Sequence, residues 1–217
     1  MPDTFMPAAE ESGLMPEIGD WVIREATRQA ASWPAEKKVA VNVSPVQFHP
    51  SCPIFQTIKS SLEESGLKPN RLEIEITGHV LLQDFDIAAE TIIKLRNLGV
   101  SVVLDDFGVG HSSLNYLRSL PFDKIKLDRS FVSHAEVCYK SRAILNSVAS
   151  LGKELGIRST AEGIETAAHL DRVVKAGFTE VQGYMFAKPS PNPSMDKAII
   201  FPNISIPGTM QTPKNQF

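Results

Sequence analysis

The chain has 217 residues, a length that suits one domain with a sizeable core. Its hydrophobic content of 42%, charged content of 22% and net charge of −3 are ordinary for a soluble globular protein. They supply no basic field for duplex nucleic acid or a membrane surface, and no apolar run approaches the roughly 20 residues of a membrane span. The first residues have neither the basic region nor the apolar core of a secretory signal. Cys52 and Cys138 form no metal motif, so a reduced, cytoplasmic protein is the expectation.

Helical and strand patterns alternate along the chain. Gly19 to Trp33 has Trp21, Val22, Ala26 and Ala30 at helical spacing, with Pro34 beyond. Val39–Val43 reads as a strand, Ile54–Glu64 as a helix stopped near Gly66, and Leu72–Thr77 as a strand. Asp84 caps a helix running to Leu98, with Gly99 at its end. Ser101–Asp106 is a strand in which unbroken apolar residues end on two carboxylates, followed by Gly108 and Gly110. Ser112 or Ser113 caps a short helix carrying Leu114 and Leu117. Lys124–Asp128 is a strand and Ser141–Leu155 a helix; Ile157–Ile164 is a strand, Thr166–Ala176 a helix, and Glu180–Met185 the last strand. Residues 1–200 are read as one barrel domain and 201–217 as a mobile tail.

Six strands separated by helices imply an α/β fold with a parallel sheet. The turn after Val39–Val43 lacks the glycine-rich phosphate loop of an open nucleotide-binding fold. Polar residues sit instead at successive strand ends: Asn42, Glu75, Asp105 with Asp106, Lys126 with Asp128, Glu162 with Glu165, and Gln182. That distribution favours a TIM-type (β/α) barrel, which gathers its site from the C-terminal ends of several strands. A lone Asp-Asp pair is more often a solvated turn. In a barrel, however, Asn42, Glu75, Asp105 and Glu162 converge as oxygen ligands suited to Mg²⁺ or Mn²⁺, with Asp106 bridging a second ion. Lys126 activates a water or stabilises a phosphoryl oxygen, or else is a buried ion pair with Asp128 or Glu162. Glu73 is expected to face the helices and pair there.

Six ordered segments carry a resemblance. They are Asn42–Phe48, Leu72–Thr77, Leu104–Gly108, Ile125–Phe131, Ala161–Glu165 and Val181–Tyr184. Over about Thr4 to Pro191 the chain resembles the EAL-domain family, phosphodiesterases that linearise cyclic di-GMP. The resemblance implies a modified TIM barrel and a dimer. Asn42, Glu75, Asp105 and Glu162 look like metal ligands, and Asp106 like the ligand between two ions. Lys126 looks like the residue that activates the nucleophilic water; Lys126, Asp106 and Glu162 are thus the catalytic candidates. Gln47, Asp128, Glu165 and Gln182 look like supporting or substrate-binding groups. Phe107, Gly108 and Gly110 match the mobile loop that couples metal and substrate binding to dimerisation.

The match has gaps. No Glu-Ala-Leu tripeptide occurs in the chain, so the metal-ligating glutamate of that motif is missing. By resemblance two strands and a phosphate-contacting arginine are absent with it, leaving six of eight strands. Gly78 replaces a glutamate that anchors the loop, and Val109 and His111 replace its usual Thr and Tyr. Two readings follow. One is a two-metal phosphodiesterase yielding linear pGpG, with low or no activity in this chain alone. The other is a degenerate module that binds cyclic di-GMP or a protein without hydrolysis. Open sheet edges are expected to be covered by a second copy, a partner or the tail.

Overall fold

Apolar β-branched runs and glycine stops divide the chain into alternating strands and helices. The computed structural model describes residues 8–189 apart from 10, 50, 53 and 111–113. The strands are β1 (Val39–Asn42), β2 (Leu72–Thr77), β3 (Ser101–Phe107), β4 (Lys124–Leu127), β5 (Arg158–Ala161) and β6 (Glu180–Val181). They form one parallel sheet in chain order, each joined to the next by at least one helix. This is the expected TIM-type arrangement, an open and incomplete barrel of six described strands. The tail, His111 and the proposed Ser112 or Ser113 cap lie outside the described residues.

The helices are α1 (Met15–Ala31), α2 (Ile54–Ser65), α3 (Val80–Gln83), α4 (Phe85–Leu98), α5 (Leu114–Ser119), α6 (Arg129–His134), α7 (Tyr139–Leu155) and α8 (Ala167–Ala176). Local chemistry sets their ends. Asp84 accepts from the Ile87 amide and Thr166 from the His169 amide, while Gly99, Gly156 and Gly177 close their helices in the left-handed region. The Arg71 guanidinium donates to the carbonyls of Ala30, Trp33, Pro34 and Lys37, satisfying the end of α1 and tying it to the start of β2.

The apolar core lies between the sheet's outer face and the helices. Leu72, Ile74, Ile76, Val102, Leu104, Ile125 and Leu127 are all fully or nearly fully buried there. Two expectations need correction on this point. In α1 the packed stripe is Ile23, Thr27 and Ala30, whereas Trp21 is 66% exposed. Glu73 does not face the helices. It shares the face of Glu75, because strand side chains repeat every two residues, and it bonds Lys124 Nζ at 2.6 Å. The inner face is therefore the polar one, and it carries two ionic layers.

Candidate functional site

The inner layer toward the strands' C-terminal ends is centred on Lys126. Its ammonium lies 2.8 Å from Glu75, 3.2 Å from Asp105 and 2.7 Å from Glu162, drawing together carboxylates from β2, β3 and the residue after β5. Of the two ion pairs considered for Lys126, that with Glu162 forms. Asp128 instead caps α6, accepting from the Ser130 amide at 2.9 Å.

The adjacent aspartates meet through a backbone irregularity. β3 runs through both to Phe107, one residue beyond the expected end, with its register against β4 shifting between Leu104 and Phe107. Asp106 has φ 51°, the one non-glycine residue in the left-handed region among those described. This bulge interrupts the alternation that would send successive side chains to opposite faces. The Asp105 carboxylate accepts from the Asp106 amide at 2.9 Å, bracing the bulge. As a result one oxygen each from Asp105, Asp106 and Glu162 lie within 4.8 Å of one another.

Lys126 pairs with three carboxylates here, and Asp106 lies beside them. Burial pushes the Glu75 carboxyl up, the Asp105 charge adds to this, and Lys126 does not offset them. Burial likewise raises Glu162 despite its bond to Lys126, and burial followed by the charges of Asp105 and Asp128 raises Asp106. Burial works against the Lys126 ammonium, but the charges of Asp105 and Glu75 and the bonds to Glu162 and Glu75 hold it above the usual lysine range. The lysine is thus a fixed cation, and its neighbours retain an excess of negative charge. An all-oxygen donor set with that excess fits a hard divalent ion.

The remaining expected residues are placed variously. Asn42 ends β1, exposed and in register with Glu75. Glu162, Glu165 and Gln182 line one pocket, joined by Arg129 and Tyr184. Sequence reasoning missed Arg129 and Tyr184. The signal for the first was Asp128 with Ser130, a helix cap that places Arg129 at the start of α6. Gly163 permits this approach: a Cβ there would sit 2.5 Å from Arg129 Cβ. Gln47, expected as a supporting or substrate-binding group, lies in the turn after β1. It is 3% exposed, accepts from the Ser44 amide at 3.1 Å and packs against Gly19 of α1, so it secures the turn after β1. In the loop, Phe107 is buried, while Gly108 (φ 98°) and Gly110 (φ 63°) need left-handed backbone. A Cβ at Gly108 would meet Phe131 at 2.6 Å. Gly78 is buried at the turn into α3 and has no side chain to hold this loop.

Comparison with known proteins agrees with this architecture. The family model for the EAL domain matches residues 1–189. A relative from Sinorhizobium fredii, the uncharacterized protein y4lL, is 46% identical over 190 residues, covering 88% of this chain and 23% of its own length. The cyclic di-GMP phosphodiesterase PdeR of Escherichia coli is 36% identical over 193 residues, covering 88% of this chain and 29% of that protein. The chain thus spans about a quarter of the length of these curated relatives. The MucR phosphodiesterase of Pseudomonas aeruginosa, solved in complex with c-di-GMP, superposes with a TM-score of 0.83 at 34% identity, covering 88% of this chain and 78% of that one. From the family match over nearly its whole described length, the chain belongs to the EAL-domain family.

Proposed function

We propose that this chain is a cyclic di-GMP module of the phosphodiesterase type, in which Asn42, Glu75, Asp105, Asp106 and Glu162 hold divalent ions. The observation that carries the reading is the meeting of Asp105, Asp106 and Glu162 oxygens within 4.8 Å on a strained bulge. Backbone strain of this kind persists only where its surroundings hold it in place. Bound Mg²⁺ or Mn²⁺ would supply Lewis-acid polarisation of a phosphoryl oxygen and a more acidic water. The protein's own groups then divide the work. Lys126, set among Glu75, Asp105 and Glu162, stabilises negative charge developing on a phosphoryl oxygen. Asp106, exposed beside Asp105 and Glu162, is the carboxylate placed to accept the water's proton. Arg129, Glu165, Gln182 and Tyr184 form the adjoining wall against which a nucleotide rests.

The Glu-Ala-Leu carboxylate is not among the 217 residues, so hydrolysis by this polypeptide alone is slow or nil. A second reading, binding without turnover, is favoured by Gly78, which offers no side chain to order the loop beyond Asp106. The module works in the cytoplasm, as a homodimer or against a partner that covers the sheet's edges. Among the described residues no helix is long and apolar enough to cross a membrane. Titration of the purified chain with cyclic di-GMP in Mg²⁺, with assay for linear pGpG, decides between the readings. Product that disappears in D105N supports hydrolysis, binding without product supports the second reading, and neither binding nor product overturns both.

A further inference from the structure

We propose that the cleft between α7 and α8, on the outside of the half-barrel, is a separate site for a phosphate group carried by a phosphomonoester or as free phosphate. The cleft is about 420 Å³, within the roughly 300–1,000 Å³ of small-molecule sites. Arg142 and Asn146 line it one helical turn apart on α7, and Arg172 and Lys175 line it from α8. Ala168 and Ala176 leave the space between the helices open. This inference does not rest on the proposed hydrolysis of cyclic di-GMP.

Three observations point to an anion. Arg172 lines the cleft and its buried Nη1 has no hydrogen-bond partner among the described residues, whereas a buried donor is ordinarily satisfied by protein, water or an ion. Arg142 has no ion pair or side-chain hydrogen bond among the described residues. The third cation, Lys175, is held only by Asp171 at 2.7 Å in a largely exposed i,i+4 pair, which an incoming anion can displace at little cost. Three cations against one carboxylate form a positive island on a chain of net charge −3. The guanidiniums present planar N–H pairs suited to phosphate oxygens, and the Asn146 amide adds a neutral donor. No aromatic side chain lines the cleft, so the group recognised is the phosphate and not a stacked base.

Calorimetric titration of the metal-free 217-residue chain with inorganic phosphate, GMP and guanosine tests this. Phosphate and GMP are expected to bind saturably and guanosine not at all. Equal affinity for phosphate and GMP identifies free phosphate as the ligand, and tighter GMP binding identifies a nucleotide phosphate; either supports the site. Each of R142Q and R172Q is expected to weaken binding about tenfold or more, through loss of charge-assisted hydrogen bonds. Arg142 is exposed, so R142Q is expected to fold even if R172Q does not, and thermal melts check both. Absence of saturable phosphate binding overturns the proposal, as does binding unchanged in R142Q.

Discussion

Glu73 and Glu75 stand two residues apart on β2 and face the same interior, yet their surroundings are opposite in kind. Burial pushes the Glu73 carboxyl up, but bonds to Lys124 and Lys38 and the charges of Lys124 and Arg158 more than offset this and hold it at about 2. Its layer also contains Glu180, bonded to both Lys124 and Arg158, so three cations meet two carboxylates. Around Glu75, Lys126 pairs with three carboxylates, those of Glu75, Asp105 and Glu162, and a fourth, Asp106, lies beside them. The lower layer is complete within the protein and reads as structure. The upper layer is short of positive charge, which is the condition a cation from solution relieves. The contrast separates a scaffold from a site, although both are buried clusters of the same residue types.

The largest expected effect comes from breaking the complete layer. E73Q leaves buried Lys124 with Glu180, which Arg158 also shares, as its one carboxylate among the described residues, at a cost of about 3–5 kcal/mol. For a chain of this size that lowers the melting temperature by roughly 6–20 °C. E75Q removes a surplus charge, so without divalent ions it is expected to leave the melting temperature unchanged or higher. Equal losses in the two variants would erase the distinction between the layers.

Acid sharpens the same contrast. A Glu73 pKa of about 2, against 4.5 for the free side chain, contributes about 3 kcal/mol that is present above pH 4.5 and lost as pH falls toward 2. Glu75, Asp106 and Glu162 have raised pKa values, so their contribution has the opposite sign. It is present below their unfolded values and lost as pH rises through the folded ones. Melting curves in chelator are expected to show stability falling on both sides of a mildly acidic optimum. E73Q removes the acid limb and leaves the other.

The expected outcome for divalent ions is intermediate in size. At a hundredfold excess over Kd, Mg²⁺ or Mn²⁺ adds about 2.7 kcal/mol to the folded state and offsets the loss on the alkaline side. D105N is expected to abolish this gain, as measured by thermal melts with and without metal. The smallest effect belongs to Lys38, whose side chain is 41% exposed at the rim of the lower layer. K38A is expected to cost less than about 1 kcal/mol. A cost as large as that of E73Q would mean that the layer depends on its rim.

These layers also show what the sequence could disclose. Strand ends are visible in one dimension, because apolar runs stop there; hence Glu75, Asp105, Asp106, Lys126 and Glu162 could be named as a group. Which face a residue shares, and with what, depends on partners far along the chain. Glu73 meets Lys124 51 residues away and Arg158 85 residues away, and no local pattern signals either. The bulge was also hidden, since it exists only as a slip of β3 against β4. Gln47 lies within a family segment, yet its side chain serves the packing of the turn against Gly19.

The left-handed backbone at Asp106 has one more consequence, for how such a module can change over generations. Shape and charge at this position are open to separate replacement by few residues. Asn tolerates the conformation and Gly adopts it freely, each removing the carboxylate while sparing the strand. A β-branched residue would undo both together. A lineage moving from turnover toward signal reading is therefore expected to pass through Asn or Gly at position 106, keeping the fold while silencing the chemistry.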